Sequence, residues 1–274
     1  MTRPAVSVLM PAYNGGDFVI DAVAGALEQM GPDDELVVQD GGSTDGSSEA
    51  LQAKFGDYPQ LTMVSAKDGG QADALNKALA RAKNPIIGWL NADDCLYPGA
   101  IDAVRRAWEE QPVADIVYGS WRIFDNDGTV MRDCVPKEFT LNSLMWQPHV
   151  FSGAIFFRRD LVRDSGGFDV DLYMCMDLDL VLRLAAAEAK YVKVPETLAG
   201  FRWHADSKTG AVDFRVVKEA YVVRRRYAKG IVGWLVADGC SLVHLVSWLI
   251  TPLRRSKWYS KLRVRRAAGR ATDA

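Results

Sequence analysis

A chain of 274 residues, about half of them apolar and a quarter charged, is long enough for one large domain, or one domain and a tail, and excludes extended disorder. The net charge of −2 hides an asymmetry: from Arg215 onward fourteen Lys/Arg stand against three Asp/Glu, and the remainder carries 19 basic and 32 acidic residues. An acidic body with a basic tail is not the pattern of a nucleic-acid binder, and it suits a tail that meets an anionic surface.

The N-terminal segment Ala5 to Met10 is too short for the apolar region of a signal peptide, and Pro11 stops it, so no signal peptide is expected. That run, with Glu35 to Gln39, Leu61 to Ser65 and Ile86 to Leu90, reads as strands. Helical patterns at Asp17 to Met30, Ser47 to Phe55, Gln71 to Ala82 and Pro98 to Gln111 separate or follow them. The alternation predicts an α/β fold with a mostly parallel sheet flanked by helices on both faces. Ile116 to Asp125 and Thr129 to Val135 form a hairpin pattern around Asn126-Asp127-Gly128. Ala154 to Phe157, Tyr191 to Val194 and Leu198 to Trp203 read as further strands, and Asp177 to Ala187 and Asp213 to Lys229 as helices. The organisation expected is one catalytic domain over residues 1–212 and a helical basic tail over 213–274. The four cysteines, Cys95, Cys134, Cys175 and Cys240, lie far apart, which disfavours a disulfide framework or structural zinc and points to a reducing compartment.

In a parallel sheet, ligands gather beyond the carboxyl ends of the strands. The loops there are unusually polar: Pro11-Ala12-Tyr13-Asn14, then Asp40 to Gly46, then Asn91-Ala92-Asp93-Asp94. Asp and Asn also make turns and caps, and Asp45 suits a cap for the helix after Gly46. Adjacent carboxylates at Asp93 and Asp94 repel unless a cation shares them, and hard oxygen ligands suit Mn²⁺ or Mg²⁺. Asp177, at a helix start behind apolar Met174 and Met176, is a candidate base whose pKa partial burial would raise and the helix N-terminus lower.

The stretches SVLMPAYN, VVQDGGSTDGS, DGGQADALNKALARA and GWLNADD, in this order and spacing, resemble the family-2 inverting glycosyltransferases of the GT-A, Rossmann-like fold, over roughly residues 5 to 210. The resemblance implies a hexosyltransferase-type enzyme that moves a sugar from a nucleoside-diphosphate sugar to the hydroxyl of a sugar or lipid-linked acceptor, with Mn²⁺ or Mg²⁺ as cofactor. It implies that Pro11, Ala12 and Tyr13 line the nucleotide pocket and that Asp40 bonds the base, with uracil most usual. An ionised carboxylate is acceptor-only, so it suits an imide N–H. Asp73 and Asn76, at i, i+3 on one helical face, and Gln71 are expected near ribose or diphosphate, with Asn91, Ala92 and Asp93 completing the donor site. Asp93, Asp94 and His204 are the expected metal ligands. Asp177 is the expected catalytic base, although the family's usual Glu before it is Met176 here, and the family's acidic triplet begins here with Asn91. His149 and Trp146 or Trp203 are further candidates for the acceptor cleft. The QxxRW pattern of processive relatives is absent, which disfavours processive synthesis.

In the tail, Ile231, Leu235, Leu242, Val246, Leu249 and Leu253 share one helical face, while Asp238, Ser241 and His244 fall on another. Seven Lys/Arg between Arg254 and Arg266 follow, with Trp258 and Tyr259 among them. This suits a helix lying on an anionic membrane, hence a cytoplasmic protein peripheral to the inner face of the plasma membrane, in bacterial surface polysaccharide or glycolipid synthesis. The same face also suits packing on the catalytic domain, or on a second copy as a homodimer. Two rival readings are a nucleotidyltransferase, which needs a basic glycine-rich loop where this chain has Pro11 to Asp17, and a catalytically degenerate GT-A scaffold.

Overall fold

The computed structural model describes residues 3–146, 151–204 and 214–231, with 233–235, 237–239 and 242 beyond them. The chain divides into two compact units, Met1–Ala211 and Val212–Ala274.

In the first unit, β1 (Val6–Ala12), β2 (Glu35–Asp40), β3 (Leu61–Ser65) and β4 (Ile86–Trp89) are joined by α1 (Gly16–Leu27), α2 (Ser47–Phe55) and α3 (Gln71–Arg81). They lie side by side in the order β3-β2-β1-β4, all parallel. Every residue of β1, β2 and β4 is buried, so these strands show no alternation of buried and exposed positions; Ser7, Glu35, Gln39 and Asp40 are the buried polar residues among them. The chain grows outward from β1 to β3 and then returns to the other side of β1 as β4. A crevice opens at the carboxyl ends where this reversal occurs.

The second half of this unit runs through β5 (Cys95–Leu96), α4 (Ala100–Glu110), β6 (Ile116–Phe124), β7 (Val130–Cys134), α5 (Leu141–Trp146), β8 (Ile155–Arg158), α6 (Arg159–Asp164), α7 (Met176–Ala186) and β9 (Tyr191–Arg202). The sheet continues past β4 as β8-β6-β9-β5, with β7 on β6. Here β8 is antiparallel to both β4 and β6, β5 is antiparallel to β9, and β6 and β9 are parallel. The mostly parallel arrangement expected from the sequence therefore holds for the first four strands and gives way to a mixed sheet. The hairpin expected around Asn126 to Gly128 is β6 and β7. The two strands expected at 191–194 and 198–203 are one, because register shifts against β6 at Ser120 carry β9 through Pro195, which reads as a break. Two residues of β5 and six each of α5 and α6 are too few for a periodic signal.

Side-chain size sets the fit of this half. A Cβ on Gly88 would collide with the Phe156 ring of β8, and a Cβ on Gly200 would lie 2.7 Å from Cys95 Sγ and 2.7 Å from the Phe124 ring.

In the second unit, α8 (Arg215–Tyr227) buries Val217, Ala220 and Val223 and carries Arg224, Arg225 and Arg226 in its last turn. The described positions from 230 to 242 are helical, and Ile231, Trp234, Leu235 and Leu242 among them are exposed. Val246, Leu249, Leu253 and the basic run after them lie outside the described residues, as does His149. Among the described residues no helix is long and apolar enough to cross a membrane.

A buried ion pair ties the start of β1 to α4. Asp34 accepts from Val6 N–H (2.9 Å) and Gly31 N–H (2.7 Å) and pairs with Arg105, which also donates to Asp102 (2.9 Å). Asp34 and Arg105 are nearly fully buried, whereas the Asp102 side chain is 48% exposed. Asp34→Ala strands a buried guanidinium and is expected to cost about 3 kcal/mol in urea unfolding. Asp102→Ala removes a solvent-screened partner of the same group and is expected to cost less than about 1 kcal/mol. Equal costs would remove the special role of the Asp34 pair.

Candidate active site

The crevice at the carboxyl ends of β1, β2 and β4 is a cleft of about 920 Å³. Pro11, Ala12 and Tyr13 line it from β1 and the loop that follows, with Tyr13 largely exposed.

The loop after β2 is built by its own carboxylates. Asp40 accepts from Gly42 N–H (3.2 Å), Ser43 N–H (3.0 Å), Ser65 Oγ–H (2.6 Å) and the Ser43 hydroxyl, and it is buried. Asp45 accepts from Ser47 N–H (3.0 Å) and Ser47 Oγ–H (2.5 Å) at the start of α2, and from Gly16 N–H (2.9 Å). The Ser47 hydroxyl, above all, holds the Asp45 pKa below its ordinary value. Asn14, in the left-handed region at φ 50°, crosses to the same loop: its N–H donates to Ser43 Oγ (2.7 Å) and its Oδ1 accepts from Thr44 N–H (2.8 Å). Asp40 therefore shapes the loop, and the cleft lining there is Gly41, Lys67 and Asp68. The carboxylate at that part of the wall is Asp68, which accepts from Gly70 N–H (2.9 Å). A Cβ on Gly41 would lie 2.9 Å from Asp68 Oδ2, so the glycine makes room for it.

Helix α3 turns its polar side chains in several directions. Asp73 accepts from Gly69 N–H (2.8 Å) and pairs with Lys77 (2.8 Å), which is the main reason its pKa is lowered. Asn76 turns to the backbone of Phe168. Gln71 and Ala74 line the cleft from this helix, and Asp73 and Asn76 do not.

The turn after β4 is centred on Asn91. Its Oδ1 accepts from Trp89 Nε1–H (2.8 Å) and Gln71 Nε2–H (2.8 Å), and its Nδ2–H donates to Asp94 Oδ2 (2.8 Å). Arg202 N–H donates to Asp94 Oδ1 (3.1 Å), and Arg202 Nε–H to the Asp93 carbonyl (3.1 Å). The Arg202 guanidinium lies between the rings of Phe18 (4.8 Å) and Phe124 (4.9 Å). Asp94 is buried, and desolvation, then the charge of Asp93, raise its pKa well above the ordinary value. It is thus anchored inside the turn. Asn91, Ala92, Asp93 and His204 do line the cleft, and His204 Nε2 stands 3.0 Å from Asp93 Oδ2.

Among the described residues, no three His, Cys, Asp or Glu side chains gather as a metal cage. The Asp93–His204 pair nonetheless fits a divalent ion as one oxygen and one nitrogen donor, since Mg²⁺-type sites often take one or two protein ligands and complete the shell with phosphate and water.

The segment before α7 supplies further lining. Tyr173, Met174 and Met176 line the cleft, and Asp177 follows in the first turn of the helix. Its Oδ1 accepts from Leu178 N–H (2.7 Å). Desolvation pushes its pKa up to about 6, against the lowering effect of that bond. Met176, buried beside it, adds no second charge. Phe201 and Phe18 also line the cleft, Phe18 against the His204 ring (5.0 Å), and Trp203 meets Phe201 edge to face (6.4 Å), while Trp146 is exposed.

A family model described as glycosyl transferase family 2 matches residues 7–166. Chondroitin synthase of Pasteurella multocida (strain Pm70) is 30% identical over 189 residues, covering 66% of this chain and 19% of the relative. The chain therefore spans about a fifth of the length of the first curated relatives that it matches. S. aureus TarS 1-349 in complex with UDP-GlcNAc superposes with a TM-score of 0.67 at 16% identity, covering 90% of this chain and 73% of that one. The mannosyltransferase PcManGT from Pyrobaculum calidifontis, in complex with GDP-Man and Mn²⁺, gives 0.65 at 22%, covering 99% and 81%. The likeness to these structures is one of fold, which is GT-A.

Asn91→Asp keeps an acceptor for Trp89 and Gln71 but loses the donor to Asp94 and adds a like charge beside it. We expect a loss of about 2 kcal/mol at neutral pH in urea unfolding. A carboxyl whose folded pKa is raised sheds its penalty as protons return, so the loss shrinks as the pH falls toward about 4. A pH-independent or absent loss would remove the role assigned to Asn91.

Proposed function

The chain belongs to glycosyl transferase family 2, and from that premise we propose an inverting, single-displacement transferase that takes a nucleoside-diphosphate sugar, UDP-linked by preference. The observation that carries this reading is Asp177: a carboxyl with its pKa raised to about 6, directly after Met176, which lines the same cleft as Asp93 and His204. A base of that pKa is ionised at neutral pH yet basic enough to accept a proton as it is released.

In this mechanism the Asp177 carboxylate takes the proton of the acceptor hydroxyl as that oxygen bonds to the anomeric carbon. The bond from that carbon to the nucleoside diphosphate breaks on the opposite face, which inverts the centre. Asp93 and His204 would hold Mn²⁺ or Mg²⁺, which when bound supplies positive charge to the departing diphosphate. Pro11, Ala12 and Tyr13 bracket the nucleotide, with Asp40 holding the loop and Asp68 presenting the acceptor oxygens that suit an imide N–H. Gln71, Asn91 and Ala92 line the sugar-diphosphate side. The complexes of structural relatives with UDP-GlcNAc and with GDP-Man and Mn²⁺ support a nucleotide-sugar donor.

Similarity to a chondroitin synthase supports polysaccharide or glycolipid synthesis as the setting, with a sugar or lipid-linked acceptor. The exposed Ile231, Trp234 and Leu235, followed in sequence by the basic run after Arg254, support peripheral attachment to an anionic leaflet on the cytoplasmic side.

Asp177→Asn is expected to lower kcat by about 1,000-fold while calorimetric binding of UDP with Mn²⁺ is kept. In the wild type, kcat should rise with pH through about 6, since only the ionised carboxylate accepts the proton. Equal loss of binding and turnover would make Asp177 structural. For the tail, the full chain should float with vesicles containing phosphatidylserine and a chain ending at Gly230 should not; if neither floats, the membrane reading fails.

A further inference from the structure

The Asn76 side chain, expected near the donor, makes a different connection. Its Nδ2–H donates to the Phe168 carbonyl (2.8 Å) and its Oδ1 accepts from Phe168 N–H (2.8 Å), across 92 residues of sequence. An amide that satisfies both main-chain groups of one residue acts as a strand partner would, fixing position and orientation together.

The segment it grips is held from other directions too. Arg183 of α7 donates through Nη2–H to the Gly167 carbonyl (2.6 Å) and through Nη1–H to that of Ser165, and it pairs with Asp179 (3.3 Å). Gly167 N–H donates to the Val162 carbonyl (2.9 Å) at the end of α6. Gly166 and Gly167 turn at φ 101° and 71°, and a Cβ on Gly167 would collide with Asn76 Oδ1. The buried Phe168 ring meets Trp89 edge to face at 5.4 Å. From Phe168 the chain runs directly to the cleft-lining Tyr173, Met174 and Met176 and then to Asp177.

We propose that Asn76 is a positioning residue that fixes this segment, and with it the Asp177 carboxylate, against the donor side of the cleft. The proposal rests on the reading of Asp177 as the base. One helix, α3, thereby serves both walls: Gln71 bonds the turn that carries Asp93, and Asn76 grips the segment that leads to Asp177. A base must stand within hydrogen-bond reach of the proton it removes, and a displacement of about 1 Å costs about 100-fold in rate.

The test uses Asn76→Asp and Asn76→Ala in the full chain. Asp keeps the acceptor for Phe168 N–H but has no donor for the carbonyl, and Ala has neither. UDP affinity in the presence of Mn²⁺, by calorimetry, should stay within about twofold of wild type in both. Hydrogen exchange of the 168–176 amides should quicken by about tenfold in Asn76→Ala and by less in Asn76→Asp. Nucleotide release from UDP-hexoses and GDP-mannose should show kcat lower by about 10- to 100-fold with donor KM unchanged, Asp again falling between. A fall in UDP affinity with the segment still protected would make Asn76 a donor ligand and overturn the proposal. Unchanged kcat with a loosened segment would overturn it as well. Failure of the underlying reading has a separate signature, in which Asp177→Asn turns over like the wild type.

Discussion

A carboxylate taken out of water must have its oxygens satisfied, and in this protein that requirement at Asp94 organises the cleft. Asn91 donates to one oxygen and Arg202 N–H to the other, so β4, β9 and the turn between β4 and β5 meet at one buried group. Asn91 can do this because an amide donates and accepts at once, as a carboxylate cannot. While one end holds Asp94, the other collects Trp89 and Gln71. The departure from the family's acidic triplet is thus a structural choice with a physical reason: a third negative charge here would crowd a site that already has Asp93 beside a buried Asp94.

From that turn the two walls of the cleft diverge. The parallel half brings Pro11, Ala12 and Tyr13 to one side and exposes Asp93 to the interior. The mixed half sends back β9, whose end supplies Arg202 and then His204, and the segment before α7, which supplies the apolar face at Met174 and Met176. Apolar surroundings matter on that side because they make the Asp177 carboxyl less acidic, which a solvated position would not do. The cleft therefore draws on two different sheet architectures that meet at β4.

The sequence conveyed the first half well, because short apolar stretches between helical patterns mark its strands, and their ends fall within a residue or two of the real ones. Of the residues it singles out, Asp93 and His204 line one cleft, and Asp177 directly follows the cleft-lining Met176. It did not convey which way polar side chains turn. Asp40, Asp73, Asn76 and Asp94 all satisfy neighbouring backbone or side-chain groups instead of lining the cleft, as short polar side chains tend to do. Asp68, in a Asp-Gly-Gly stretch, reads as a turn residue, and Phe18, in the first turn of α1, reads as core. Their exposure to the cleft depends on long-range packing that no local pattern encodes. The single long β9 was hidden by Pro195, since a register shift against β6 has no signature of its own.

Gly200 has a consequence for how such a protein can diverge. Its missing side chain lets β9 approach Cys95 Sγ at the start of β5, immediately after Asp94, and Arg202 follows two residues later on the same strand. Any side chain at 200 presses on the neighbours of the acidic turn before it alters anything in solvent. Mutational paths through this strand are consequently narrow.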